Sequence, residues 1–188
     1  MSNKVSSDFQ TIIHPLEPLY NSQSEILILG SFPSVKTREY GFFYGHPQNR
    51  FWPMISAIFG EALSIEIEER RKFLLKHHIA VYDAIYQCDI IGSSDATIKN
   101  VIPSDLSKIF QEVDIQQVFC NGSTAYKYYQ KYHADRFGLE GIKLPSTSPA
   151  NAACSLNRLI DSWQIIRDYI SSNGDSDQPT RRFNRVVY

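Results

Sequence analysis

Residues 25–30 read Glu-Ile-Leu-Ile-Leu-Gly, four consecutive aliphatic side chains between a charge and a glycine. A strand with one wet face alternates apolar and polar residues, so an unbroken apolar run this short predicts a parallel strand covered on both faces. Weaker runs follow at 79–85 (IAVYDAI), 115–120 (IQQVFC) and 141–144 (GIKL), the last stopped by Pro145. Helical spacing predicts helices over 51–59, 64–77, 104–112 (with Ser104 as its cap), 123–133 and 156–170. Pro15 and Pro18 leave room only for a short helix or turn before the first strand. Strands alternating with helices at this spacing imply right-handed crossovers and a parallel sheet flanked by helices, an α/β fold.

At 188 residues the chain is sized for one compact body, read here as 1–173. Residues 174–188 form a C-terminal tail: a linker-like stretch, then the basic and aromatic RRFNRVVY, which either adds charge to a DNA-facing side or packs elsewhere. Hydrophobic residues at 43% and charged residues at 21% exclude a disordered or low-complexity chain. The formal net charge of -1 excludes a global basic field, so any nucleic-acid site must be built locally. Three widely spaced cysteines, Cys88, Cys120 and Cys154, support neither a disulfide framework nor a four-thiolate metal site, and point to a reducing cytoplasm. No signal-like segment and no membrane span is expected.

Ligands of open parallel sheets bind beyond the carboxyl ends of the strands. Four segments follow such ends: Gly30–Trp52, Asp83–Asp95, Asn121–Tyr126 and Leu144–Asn151. The first has no clear periodicity over 31–50, and a long loop inside a compact domain is more often functional than idle. All four are rich in amides, hydroxyls, prolines and aromatics. Dinucleotide, P-loop, zinc-protease and nucleophile-elbow motifs are absent, which leaves a rigid pocket for a flat ligand.

GSFPS after a buried strand, then YGHPQNRFW, GSSD and LPSTSPAN together resemble the uracil-DNA glycosylase superfamily, most closely its hypoxanthine (deoxyinosine) branch, over roughly residues 25–170. The resemblance implies a three-layer α/β/α sandwich with a four-stranded parallel sheet. It implies a monofunctional enzyme that removes a deaminated base from double-stranded DNA. A monomer is expected, and no cofactor or metal, since the sequence holds no ligand cluster and the hydrolysis needs only water. Phe32 stands where mismatch-specific uracil relatives carry a water-positioning Asn; the hypoxanthine branch relies on the Asn of HPQN, here Asn49. The resemblance puts Tyr44 at the aromatic that stacks on the extruded base. Ser146, Thr147, Ser148 and Asn151 fall in the loop that pinches the phosphates, with Ser31, Pro33, Ser34 and His46 expected to assist.

The chemistry suits these groups. Breaking an N-glycosidic bond places positive charge on the sugar and negative charge on the departing base, so hydrogen bonds and fixed dipoles can carry catalysis. An Asn orients water through its carbonyl and donates from its amide. Asp83 is the candidate base-edge reader or second water contact, and Asn121, at the next strand end, a further base-binding residue. Lys36, Arg38, Arg50 and Lys143 are the expected rim cations. Each assignment has a plainer rival: Asn49 as a helix cap, Asp83 as a loop residue, His46 as a structural hydrogen-bonder, and Ser93–Asp95 as turn composition. A catalytically silent nucleic-acid or nucleotide-binding module on the same fold stands beside the enzyme reading.

Overall fold

Ile26, Leu27, Ile28 and Leu29 are completely buried in the computed structural model, which describes residues 8–171. Each such side chain contributes roughly 1.5–3 kcal/mol by leaving water. They form β2 (Ile26–Gly30), an interior strand of a four-stranded sheet ordered β3-β2-β6-β7, with β3 at Ile79–Asp83, β6 at Gln117–Asn121 and β7 at Gly141–Leu144. All three pairings are parallel. The chain leaves β2 for β3 on one side and later returns to β6 on the other, so the strand order reverses at β2. That reversal opens a crevice at the carboxyl ends, where Gly30 pairs with Asp83 and Asn121 with Leu144. The α/β class and the four expected strands are thus present.

Helices α1 (Val35–Tyr40), α2 (Phe51–Phe59), α3 (Ile67–Lys76), α4 (Ser107–Glu112), α5 (Ser123–Tyr129), α6 (Asp135–Phe137) and α7 (Leu156–Trp163) complete the body. Several differ from expectation for local reasons. The 31–50 segment is not all loop: Ser34 accepts the Thr37 N–H and starts α1, which Gly41 ends in a left-handed conformation. Ser104 does not cap α4; it is buried with an unpartnered hydroxyl, and Asp105 accepts the Ser107 N–H instead. The helix from Ser123 passes through a π-turn at Gln130–Ala134 before α6, and α7 tightens into a 3₁₀ segment at Gln164–Tyr169.

A second, antiparallel sheet was not expected. β1 (Gln10–Ile13), β4 (Ile85–Ile90) and β5 (Lys99–Pro103) pair in the order β1-β4-β5. Two register shifts along β4 and β5 break the alternation that would have marked them as strands. Among the described residues no helix is long and apolar enough to cross a membrane. The tail at 174–188 lies outside the described residues.

Candidate active site

The four parallel strands end on one cavity of about 730 Å³, within the range of small-ligand sites. Gly30, Asp83, Asn121 and Leu144 reach it from the sheet, and Asn49, Asp95 and the 145–151 loop supply its walls. The expected convergence of the four segments is therefore physical.

Asp83, only 5% exposed, is held by a partner that sequence reasoning missed. His14, just beyond β1, places Nε2 2.8 Å from Asp83 Oδ2, and its side chain is fully buried. The Leu16 N–H donates to His14 Nδ1 at 3.1 Å, so Nδ1 carries the lone pair and Nε2–H donates to the carboxylate. Phe32, Phe43 and Tyr82 surround the imidazole. The other carboxyl oxygen, Oδ1, lies against Gly30, 2.1 Å from where a Cβ would stand. Only glycine permits that approach.

Asn49 lines the same cavity and closes an Asx turn just before α2, whose N-cap is Arg50: its Oδ1 accepts the Phe51 N–H at 2.9 Å. That bond fixes which end of the amide is oxygen, and the NH₂ stays uncommitted. Arg50 is a correction. Rather than standing at the rim, it turns inward, and its Nη2 donates to the carbonyls of Ser148 (2.7 Å) and Asn151 (2.9 Å) and its Nη1 to that of Cys154. The Arg50 N–H also donates to Thr147 O at 3.1 Å. One guanidinium thereby shapes the whole 147–154 loop. Arg50→Lys should lower stability by about 1.5–3 kcal/mol in urea unfolding, because an ammonium cannot reproduce the fork; an unchanged midpoint would contradict this role.

The 144–151 loop is anchored on its other side by Asn121. Its Nδ2 donates to Thr147 Oγ1 and its Oδ1 accepts the Thr147 N–H, both at 2.9 Å. Thr147 is 0% exposed, so its hydroxyl is an anchor and not a phosphate contact, contrary to expectation. Asn121 spends both ends of its amide on this clamp, leaving at most one N–H for a base. Gly122 lets the loop come close: its φ is +96° and a Cβ there would stand 2.9 Å from that of Ser146. Ser146 and Ser148 accept the N–H groups of Ser148 and Ala150, which leaves their hydroxyl hydrogens free to donate. The Asn151 amide donates to Ser146 O.

Tyr44 lines the cavity with a φ of 54°, a left-handed conformation that costs a non-glycine residue about 1–3 kcal/mol and clusters at functional sites. One face of its ring is stacked on Phe51 at 3.9 Å, so a base can use only the other. Its hydroxyl is buried, and no group meets it at hydrogen-bonding geometry. Burial, reinforced by the Asp83 carboxylate, holds its pKa far above the ordinary tyrosine range; the nearby Asn121 amide opposes the shift without bonding to the hydroxyl in geometry. Phe32 is buried at the cavity edge and packs with Ala84, Ile85 and Tyr128.

The first loop is closed by the turn that looked like plain turn composition. Ser93 Oγ accepts the Val35 N–H at 2.9 Å, and Ser31 Oγ donates to Asp95 at 2.8 Å. Asp95 is exposed as a residue, yet its carboxyl is crowded by the cavity wall. That crowding pushes its pKa up, Asp83 adds to the rise, and hydrogen bonds from Ser31 and Thr124 oppose it. Ser31 and Ser34 thus have local partners, and Pro33 lines the cavity beside them. His46 lies outside the cavity wall, its Nδ1 accepting the Gln48 N–H. Of the rim cations, Lys36 pairs with Glu39, Arg38 is partly buried with an unpartnered nitrogen, and Lys143 alone among Lys and Arg of the described residues lines the cavity.

The chain is similar to known proteins over most of its length. The Uracil DNA glycosylase superfamily model matches residues 17–168. A curated protein of Methanosarcina acetivorans named Hypoxanthine DNA glycosylase is 34% identical over 148 residues, covering 78% of this chain and 92% of the relative. A protein of the same name from Methanosarcina barkeri is 33% identical over 140 residues, covering 71% and 85%. A solution NMR structure from Methanosarcina acetivorans, provisionally named a uracil DNA glycosylase, is similar with a TM-score of 0.73 and 28% identity over 85% of this chain and 99% of that one.

Proposed function

The chain belongs to the uracil DNA glycosylase superfamily, and from that premise we propose that it hydrolyses the N-glycosidic bond of a deaminated base in double-stranded DNA, hypoxanthine foremost. The observation that carries the reading is the meeting of Asn49 and Asp83, from different elements, in one cavity at the carboxyl ends of the parallel strands. An extruded base fits such a pocket, where hydrogen bonds to its edge are strongest as negative charge develops on it. Asn49, with its oxygen held by the Phe51 N–H, works chiefly as an N–H donor toward the departing base. Asp83 supplies an acceptor on the same wall. Phe32 and the free face of Tyr44 enclose the flat ligand, with at most one N–H from Asn121. The cavity groups reach the base only after extrusion, so unstacking contributes to selectivity.

We place the DNA backbone across Ser146, Ser148, Asn151 and the Ser31–Ser34 segment, with His46 beside it, and take the acting form to be a monomer in a reducing cytoplasm. With Lys143 as the cavity's cation, few phosphates are neutralised. Affinity for undamaged duplex should fall with log salt at a slope near -0.9 per phosphate for about two to four phosphates. A slope equivalent to six or more phosphates would contradict this local grip.

The test of function is single-turnover excision on duplexes carrying deoxyinosine, deoxyuridine or deoxyxanthosine, read as strand scission after alkali. Scission at deoxyinosine is expected. Retained binding without cleavage at any of the three would make the chain a silent binding module.

A further inference from the structure

The residue that holds Asp83 is itself built into the site. His14 comes from the second sheet: its N–H donates to Tyr86 O at 2.7 Å, while β1 pairs with β4, the strand that follows Asp83 almost directly. The three-stranded sheet therefore carries an imidazole to the end of β3. That imidazole is fixed at both nitrogens, Nδ1 by the Leu16 N–H at 3.1 Å and Nε2 by Asp83 Oδ2 at 2.8 Å. Phe32 meets it edge-on with centroids 5.9 Å apart, and Tyr82 packs at 4.9 Å. Rotation of the ring would break both hydrogen bonds inside an aromatic enclosure, so the imidazole has one orientation and one tautomer.

The consequence falls on the far oxygen of Asp83. With Oδ2 accepting the His14 Nε2–H and Oδ1 seated against Gly30, Oδ1 is the oxygen to which no group of the described residues donates a hydrogen bond. We propose that His14 is a positioning residue for the base-excision reaction: it holds Asp83 so that Oδ1 is presented to the cavity as a hydrogen-bond acceptor for an N–H of the extruded base. The N1–H of hypoxanthine and the N3–H of uracil are groups of this kind. This rests on the glycosylase reading and assigns the second sheet a part in it.

The experiment compares His14→Phe, His14→Gln, Asp83→Asn and the His14→Phe/Asp83→Asn double variant in the full chain. Each is assayed for single-turnover excision from a deoxyinosine duplex at saturating protein, for affinity toward the same duplex, and for folding by circular dichroism. Partners that orient metal-ligating side chains matter by about 10–100-fold, and the same scale is expected for an imidazole that orients a carboxylate. His14→Phe should slow excision by about that factor while duplex affinity changes less than about 3-fold. His14→Gln can donate from nearly the same place and should recover most of the rate. The double variant should be no slower than Asp83→Asn, since His14 acts through Asp83.

Excision by His14→Phe at the wild-type rate, with Asp83→Asn slow, overturns the positioning role and leaves the glycosylase reading intact. A folded His14→Gln as slow as His14→Phe overturns it too, as does a double variant much slower than Asp83→Asn. No excision of any deaminated base by the wild-type chain is the distinct failure of the underlying reading.

Discussion

Asn49→Ala should lower single-turnover excision of hypoxanthine by about 100-fold or more, the usual effect of losing one preorganised donor aimed at developing charge. Duplex affinity should change little, because the lost interaction strengthens only as the bond breaks. The Asx turn complicates the variant: removing Oδ1 frees the Phe51 N–H and costs about 1 kcal/mol of stability, the usual net worth of one hydrogen bond. Asn49→Asp separates the two effects. Aspartate keeps the acceptor for the Phe51 N–H, so stability should hold, while the amide donor disappears and excision should fall as far as in Asn49→Ala. Near-normal excision by the folded Asp variant would move the chemistry elsewhere, with Asp83 next in line.

Gly30→Ala should be nearly as damaging although alanine adds one carbon. The new Cβ would stand 2.1 Å from Asp83 Oδ1, and the carboxylate cannot swing away freely because His14 holds its other oxygen. Either the pair breaks or the strand shifts, and both displace Asp83 from the cavity. Overpacking of this kind costs about 1–3 kcal/mol of stability, and misplacing a catalytic contact by about an ångström can cost on the order of 100-fold in rate. Thermal unfolding and single-turnover excision measured on one preparation would check both parts. A variant with full activity and unchanged melting would show that Oδ1 has no fixed seat.

How far the sequence could be read follows from the range of each signal. EILILG declared a buried parallel strand because its whole message lies in consecutive residues, and all four of its aliphatics are fully buried. Asn49 is legible as a residue that ties down the start of α2 because such a turn is local: the acceptor and its N–H are two residues apart, although the N-cap itself is Arg50. The second sheet was not legible, since register shifts break the alternation of β4 and β5. Long-range polar contacts were invisible for a different reason. His14 meets Asp83 across 69 positions, Ser31 meets Asp95 across 64, and Arg50 meets Cys154 across 104. No spacing rule links such residues. Arg50 shows the cost: judged by charge alone it belonged at the rim, whereas its fork serves loop carbonyls. Thr147 was misjudged likewise, because a hydroxyl in a polar loop looks exposed until Asn121 is seen to hold it.

Hydrolysis of the glycosidic bond sets a base free, so the released base is the product to measure. The full chain should be incubated in excess with a duplex carrying a single deoxyinosine, and the supernatant assayed for free hypoxanthine by mass spectrometry. The same samples should be run on a denaturing gel with and without alkali. Free hypoxanthine in step with alkali-labile sites, on strands that stay intact before alkali, is the predicted result. Strands cut without alkali, or bound duplex that yields no free base, would contradict it.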